Sequence, residues 1–365
     1  MTDKSQSGTS SRPRLRRARY LVPLAAIAAV SLAACQGGKP SAAPAANSPA
    51  ASGTAASGST GSRAPDTGTV SVVMLGGPSS DPFFSTIKAG ANAAAAAYGS
   101  KLKLTYLALQ NYNNLGPDMA KLLQTAGSLN PSIIVSTDWV PTAQDPVFEQ
   151  LIGKGTPVVL YNAGGSAEAT KIGAVTFVGT ADLQVGQIAG RTFVADGAKD
   201  IVCVNTTPGS QNNEDRCHGL IATATALGAK ATELELSSTS FGNPSAVTQA
   251  IKAELLKNPS VDGIFDIGAV DADSAAAGIA AAGDTSKVKL GNAGVGTNSL
   301  QRIKAGTQAF LIDIEPYLQG YLAVSAAFQY ASYGLVYTDP TPTGPVVITS
   351  SNVGAALAAS ELGLR

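Results

Sequence analysis

From Val70 onward, short apolar runs alternate with longer stretches of helical periodicity, and the pattern runs through twice. The first pass predicts strand 70–76, helix 83–98, strand 103–109, helix 117–129, strand 132–136, helix 145–154 and strand 157–161. The second predicts strand 201–204, helix 215–227, strand 231–236, helix 244–256, strand 263–267, helix 271–282, strand 287–291 and helix 299–305. Continuous apolar strands separated by helices imply parallel sheets covered on both faces. Two such runs, spread over nearly 300 residues, exceed what one hydrophobic core usually holds. The fold class expected is α/β, with two doubly wound parallel-sheet lobes.

The residues before Val70 have a different character. Arg12, Arg14, Arg16, Arg17 and Arg19 precede an apolar run at 21–34, whose 14 residues are too short to cross a hydrocarbon core of ~30 Å. A basic stretch, a short apolar stretch and then small residues form a secretory signal. Leu32-Ala33-Ala34-Cys35 resembles a bacterial lipobox, which implies cleavage before Cys35 and acylation of its sulfur. Residues 1–34 are then the signal. Residues 35–69, rich in Ala, Ser, Gly, Pro and Thr, are a disordered tether with too little apolar bulk to offset the entropy of ordering. The mature protein is expected to be exported and held on the outer face of the cytoplasmic membrane by lipid alone. Export by the general route and by the twin-arginine route both remain open, the latter on Arg16-Arg17.

Of 25 basic and 25 acidic residues, six basic and one acidic lie ahead of Cys35, leaving 19 against 24 and a net charge of −5. Nothing in that balance attracts nucleic acid or anionic lipid. Cys203 and Cys217 remain once Cys35 is acylated. Outside the cytoplasm an isolated pair is expected to bond, with two buried free thiols as the alternative.

In a doubly wound sheet, ligands sit beyond the carboxyl ends of the strands. Those ends carry Asp81-Pro82-Phe83-Phe84, the Asn-rich stretch 111–114, Asp138-Trp139, Asn162, the stretch 205–216, Phe241 and the stretch 266–273. Amides, carboxylates and aromatics together suit a sugar, whose hydroxyls need planar hydrogen-bonding groups and whose C–H surface needs ring faces.

Asp81-Pro82-Phe83-Phe84 directly after the first strand resembles the ribose/galactose type of periplasmic binding protein, which carries an Asn-Pro-Phe-Phe-like motif there. Pro157-Val158-Val159-Leu160 leading into Tyr161-Asn162, the stretch 177–190, Arg216-Cys217-His218-Gly219 and Pro316-Tyr317-Leu318-Gln319-Gly320-Tyr321 keep the same order. The resemblance covers 70 to about 349. It implies two lobes joined by three crossovers, near 178–180, 313–316 and 338–340, that close over a ligand. The lobes would comprise 70–178 with 316–338, and 179–315 with 339–365. It also implies a monomer without a cofactor, serving an ABC permease and ATPase carried on separate chains.

Transferred position by position, the resemblance puts Phe83 and Phe84 on the sugar ring, Asp81 in place of the usual amide, Asn162 where relatives have aspartate, and Ala163 where ribose binders have arginine. Arg216 falls on a ligand-donating arginine, Phe241 on an aromatic wall and Ile314 on a glutamine position beside Asp313. Gly268 and Gly294 replace polar ligands of ribose binders, so the ligand is a sugar or polyol not further defined. Asp138, Trp139, Asp271 and Asp313 complete the candidate set. Trp139 serves as cleft wall or rim. At least one of Asp271 and Asp273 is expected to cap its helix. Arg216 either reaches the ligand or pairs with Asp215 at a helix end; away from the core, its loss should change apo stability by no more than ~0.5 kcal/mol.

Enzymatic readings find little support. His218 is the only histidine, which excludes a multi-histidine metal site. It also leaves a Ser-His-Asp triad without a nucleophile elbow. No Walker loop or dinucleotide-binding glycine turn occurs. Two alternatives to transport stay open: a ligand-sensing co-receptor of the same fold, and a lipid-anchored glycosidase working through carboxylates alone.

Overall fold

The computed structural model describes residues 68–365; the expected leader, Cys35 and all but the last two residues of the expected tether lie outside the described residues. The first lobe runs β1 (Val70–Gly76), α1 (Pro82–Tyr98), β2 (Leu102–Ala108), α2 (Leu115–Ser128), β3 (Ile133–Ser136), α3 (Pro141–Gly153), β4 (Val158–Tyr161), α4 (Gly165–Ile172) and β5 (Phe177–Gly179). The second runs α5 (Asp182–Ala195), β6 (Asp200–Asn205), α6 (Gln211–Ala226), β7 (Lys230–Glu235), α7 (Pro244–Lys257), β8 (Gly263–Asp266), α8 (Ala272–Ala282), β9 (Lys289–Ala293), α9 (Thr297–Ala305) and β10 (Phe310–Asp313). The chain then returns with α10 (Pro316–Tyr333) and β11 (Thr341–Pro342), and ends on β12 (Val346–Ile348) and α11 (Val353–Glu361). The two sheets have six strands each, ordered β11-β5-β4-β3-β1-β2 and β12-β10-β9-β8-β6-β7. Every pairing is parallel except that of β12 with β10.

Predicted boundaries shift by up to four residues. The larger shifts are at helix starts. Helix α3 begins at Pro141, where a fixed φ suits the first turn and the missing N–H costs nothing. Helix α6 begins at Gln211, so Arg216 lies in its second turn rather than at its start. Its polar first turn is held by side chains: Glu214 accepts from the Gly209 N–H at 2.7 Å, and Ser210 donates to Asn212 at 2.7 Å.

Both lobes use the same helix-packing device. Helix α10 lies on α1, where a Cβ on Gly90 would collide with the Tyr317 carbonyl and one on Gly320 with that of Ile87. Helix α5 lies on α6, where Gly186 faces the Arg216 carbonyl and Gly219 that of Leu183. Glycines at these four sites let two backbones touch. Beneath them the central strands are buried, while the edge strands β2 and β7 are largely half-buried or exposed; Met74, Ile133, Val159, Phe265 and Phe310 are among the core side chains.

The chain crosses between sheets at 180–181, 314–315 and 343–345. The third crossing falls later than the sequence suggests, because β11 still pairs with β5, Thr341 opposite Val178. Asp339 accepts from the Phe177 N–H at 3.1 Å and the Thr343 N–H donates to the Gly179 carbonyl at 3.0 Å, tying 339–343 to the first lobe. The second lobe therefore regains the chain at about 346, not 339. The crossings are bonded to one another. Thr180 Oγ1 donates to the Thr343 carbonyl at 2.6 Å, and Gln319 Nε2 to the Ile314 carbonyl at 2.8 Å.

Candidate functional site

In each sheet the order reverses around its first strand, β1 between β3 and β2, and β6 between β8 and β7. Loops on either side of such a strand diverge and leave a crevice at their carboxyl ends. The two crevices face each other and form one cavity with about 590 Å³ free of protein atoms, partly open to solvent. The first lobe contributes Asp81, Phe83, Phe84, Tyr112, Leu115, Trp139 and Asn162; the second contributes Thr207, Ser210, Asn212, Asn213, Arg216, Phe241, residues 267–270, Ala293 and Gly294, and Ile314 comes from the second crossing.

The aromatic groups form a connected wall. Phe84 meets Phe83 edge-on at 5.1 Å and Trp139 at 5.5 Å. Tyr112 meets Trp139 at 6.0 Å and, from the opposite lobe, Phe241 at 4.7 Å. Gly77 makes room, since a Cβ there would strike Tyr112 and Phe84. The lobes also touch through backbone, the Gln211 N–H donating to the Trp139 carbonyl at 2.9 Å. Phe83 packs against hydrophobic residues of both lobes.

The polar groups are held in place by neighbours. Asp81 caps α1 by accepting from the Phe83 N–H at 2.9 Å, and its other oxygen accepts from Tyr112 Oη at 2.7 Å. Burial raises the pKa of its carboxyl, with the Tyr112 and backbone hydrogen bonds pulling the other way. Asn162 has a left-handed backbone, φ 64°, which aims its side chain into the wall. Its carbonyl oxygen accepts from Trp139 Nε1 at 3.2 Å and its amide donates to Gln319 at 3.2 Å, joining the cavity to the crossings.

Arg216 is buried and lines the cavity, but it does not pair with Asp215, whose carboxylate accepts instead from Gln211. Its Nε donates to Asp182 at 2.8 Å, Nη2 lies 2.7 Å from the same oxygen, and Nη1 donates to the Ile267 carbonyl at 2.7 Å and to Asn213 at 3.1 Å. Of its five N–H groups, one on Nη2 is left for a ligand. Burial pushes the Asp182 carboxyl up to about 6, with Arg216 pulling it back. This arrangement corrects the expectation that Arg216 stands apart from the core. A buried pair broken on one side costs several kcal/mol. The Cys203–Cys217 pair is disulfide-bonded, joining β6 to the helix that carries Arg216.

Seven of the ten sequence-predicted ligand residues line the cavity: Asp81, Phe83, Phe84, Trp139, Asn162, Arg216 and Phe241. The other three lie elsewhere. Asp138 is buried behind Trp139, near Asp145 and Glu168. Asp271 accepts from the Gly242 N–H at 3.1 Å and makes no cap bond to its own helix, while Asp273 pairs with Arg302 at 2.6 Å. Asp313 sits at the second crossing, accepting from the Glu315 N–H at 2.7 Å and paired with Arg365 at 2.9 Å. Tyr112, Asn212 and Asn213 were not singled out from sequence, although the polar loops that hold them were. Gly268 and Gly294 both border the cavity, and a side chain on Gly268 would meet nothing within 4 Å.

Residues 72–334 match the periplasmic binding protein domain family. The xylose/arabinose-binding protein XylF of Sulfolobus acidocaldarius is 26% identical over 326 residues, covering 82% of this chain and 76% of that protein. A carbohydrate transporter from Acidothermus cellulolyticus 11B, solved with myo-inositol, is 28% identical with a TM-score of 0.74, covering 81% of this chain and all of that one. The glucose-galactose binding protein GanP of Geobacillus stearothermophilus shares the fold at 20% identity and a TM-score of 0.70, over 78% of this chain and 98% of that one. With 263 consecutive residues matched and both lobes built as described, the chain belongs to the periplasmic binding protein family, exported proteins that bind solutes and are not enzymes.

Proposed function

We propose that this protein captures a small cyclic polyhydroxylated solute, a sugar or a cyclitol, and delivers it to an ABC permease and its ATPase. The observation that carries the reading is the cavity itself, in which a connected aromatic wall faces amides, a carboxylate and a guanidinium from both lobes. Phe83, Trp139 and Phe241 would cover the C–H faces of the ring. Asn162, Asn213 and Arg216 would donate to its hydroxyls, and Asp81 would accept. The sugar and myo-inositol ligands in the names of the similar proteins agree with that chemistry. Ligand contacts to both lobes favour the closed state, and closure presents a composite surface to the permease.

A thermal-shift screen with myo-inositol, pentoses and hexoses tests this reading. A true ligand at ~100 times its Kd adds ~2.7 kcal/mol of stability. If no sugar or cyclitol shifts the melt, the ligand class is wrong. The lipid anchor has its own test: mass spectrometry should find a mature chain beginning at acylated Cys35, and Cys35→Ser should release it from the membrane.

A further inference from the structure

Behind the cavity wall, three acidic side chains from three successive segments converge: Asp138 after β3, Asp145 on α3 and Glu168 on α4. One oxygen from each can be chosen so that all three lie within 4.8 Å of one another. Lys171 Nζ reaches the outer part of this group, 2.6 Å from Asp145 Oδ2 and 2.7 Å from Glu168 Oε1, and its side chain is 56% exposed. The inner part has no such partner. Asp138 is fully buried, and no N–H or hydroxyl donor of the described residues reaches either of its carboxyl oxygens or Asp145 Oδ1.

Burial, with the Asp145 and Glu168 charges adding to it, raises the Asp138 carboxyl, so that without an ion Asp138 holds a proton toward Asp145; fully ionised, three carboxylates sharing one ammonium leave two negative charges unbalanced. One divalent cation would supply that charge. We propose that Asp138, Asp145 and Glu168 form a binding site for a divalent cation, calcium being the best match. The donors are all hard carboxylate oxygens carried on three separate segments, a set that suits the flexible coordination of calcium better than the strict octahedron of magnesium. The exposed Lys171 marks the entry path, and its ammonium competes with the ion.

The site would act on the ligand cavity by position. Asp138 immediately precedes Trp139, and its N–H donates to the Ala163 carbonyl at 3.3 Å, in the loop that carries Asn162. Gly164 lets that loop approach Asp138; a Cβ there would lie 3.1 Å from the Asp138 Cβ. A cation bound to Asp138 and Glu168 would clamp the two loops that present Trp139 and Asn162 to the ligand.

The test uses full-length protein freed of metal with EDTA, then melted with calcium chloride or magnesium chloride. Calcium at ~100 times its Kd should raise Tm by roughly 5 °C, with magnesium weaker. Asp138→Asn should abolish the calcium shift, Glu168→Gln should weaken calcium binding at least ~10-fold, and Lys171→Met should tighten it. Wild-type protein that shows no calcium shift, or the same shift in both Asp138→Asn and Glu168→Gln, would overturn the proposal. A melt that responds to pH and not to calcium would overturn it too, assigning the cluster to a shared proton.

Discussion

Removing the Arg216 guanidinium strands the Asp182 carboxylate inside the second lobe, where the two side chains are 6% and 7% exposed. Arg216→Ala should therefore cost ~3–5 kcal/mol in a urea titration, because an unpaired charge is left buried. A loss below ~1 kcal/mol would mean that water replaces the guanidinium without penalty. Binding should weaken as well, through the single N–H that the protein leaves free. One hydrogen bond to a charged group is worth ~1.5–3 kcal/mol, which is about ten- to a hundredfold in Kd. Calorimetry on folded variant protein separates the two effects. The position of Arg216 at the cavity was legible in the sequence from its place after a strand. Its debt to Asp182 was not, because the partner lies 34 positions away on another helix.

Glycine pairs govern the element scale. Gly186→Ala would push a methyl group into the Arg216 carbonyl oxygen, and backbone on both helices can yield little. Overpacking of this kind costs ~1–3 kcal/mol; the upper end is expected here, read as a fall in the urea midpoint at unchanged slope. An unaltered midpoint would show that α5 and α6 slide apart freely. The disulfide is the other device at this scale, joining positions 14 apart. Its reduction should remove ~3 kcal/mol by the chain-entropy estimate, measured by melting with and without reductant. The alternation of strand and helix was legible where a buried strand is a continuous apolar run of some length; β5 and β10, buried strands of three and four residues, were not read as strands. Helix α4 was not, being eight residues long and entered through Gly164 and Gly165, both with positive φ. The late third crossing was hidden too: β11 is two residues long and includes a proline, so it has no apolar pattern to read. Among the site carboxylates, Asp271 and Asp313 have the residue type and the loop position of ligands, and only packing turns them toward backbone N–H groups.

For the whole molecule, buried acids set the response to pH. Asp182 and Asp271 each titrate at about 6 in the folded protein against an ordinary 3.8, with burial the leading cause in both. Between those values the folded state keeps protons that the unfolded chain has released. Their stabilising contribution is complete below the ordinary value and is lost as pH rises through about 6. Tm should thus fall between about pH 4 and about pH 6, and Asp271→Asn should flatten part of that slope. A Tm that is level or rising over this range would contradict the assignment. The return of α10 and β11 to the first lobe has a consequence for how such a chain acquires its shape. Strands β6 to β10 and their helices are contiguous in the chain, so the second lobe can assemble most of its core as soon as they appear. The first lobe cannot. Its strands β1, β3, β4 and β5 await α10, which emerges only after the whole second sheet down to β10. In a polypeptide delivered N-terminus first, the lobe that begins earlier is completed later, and one face of its sheet stays uncovered in the interval.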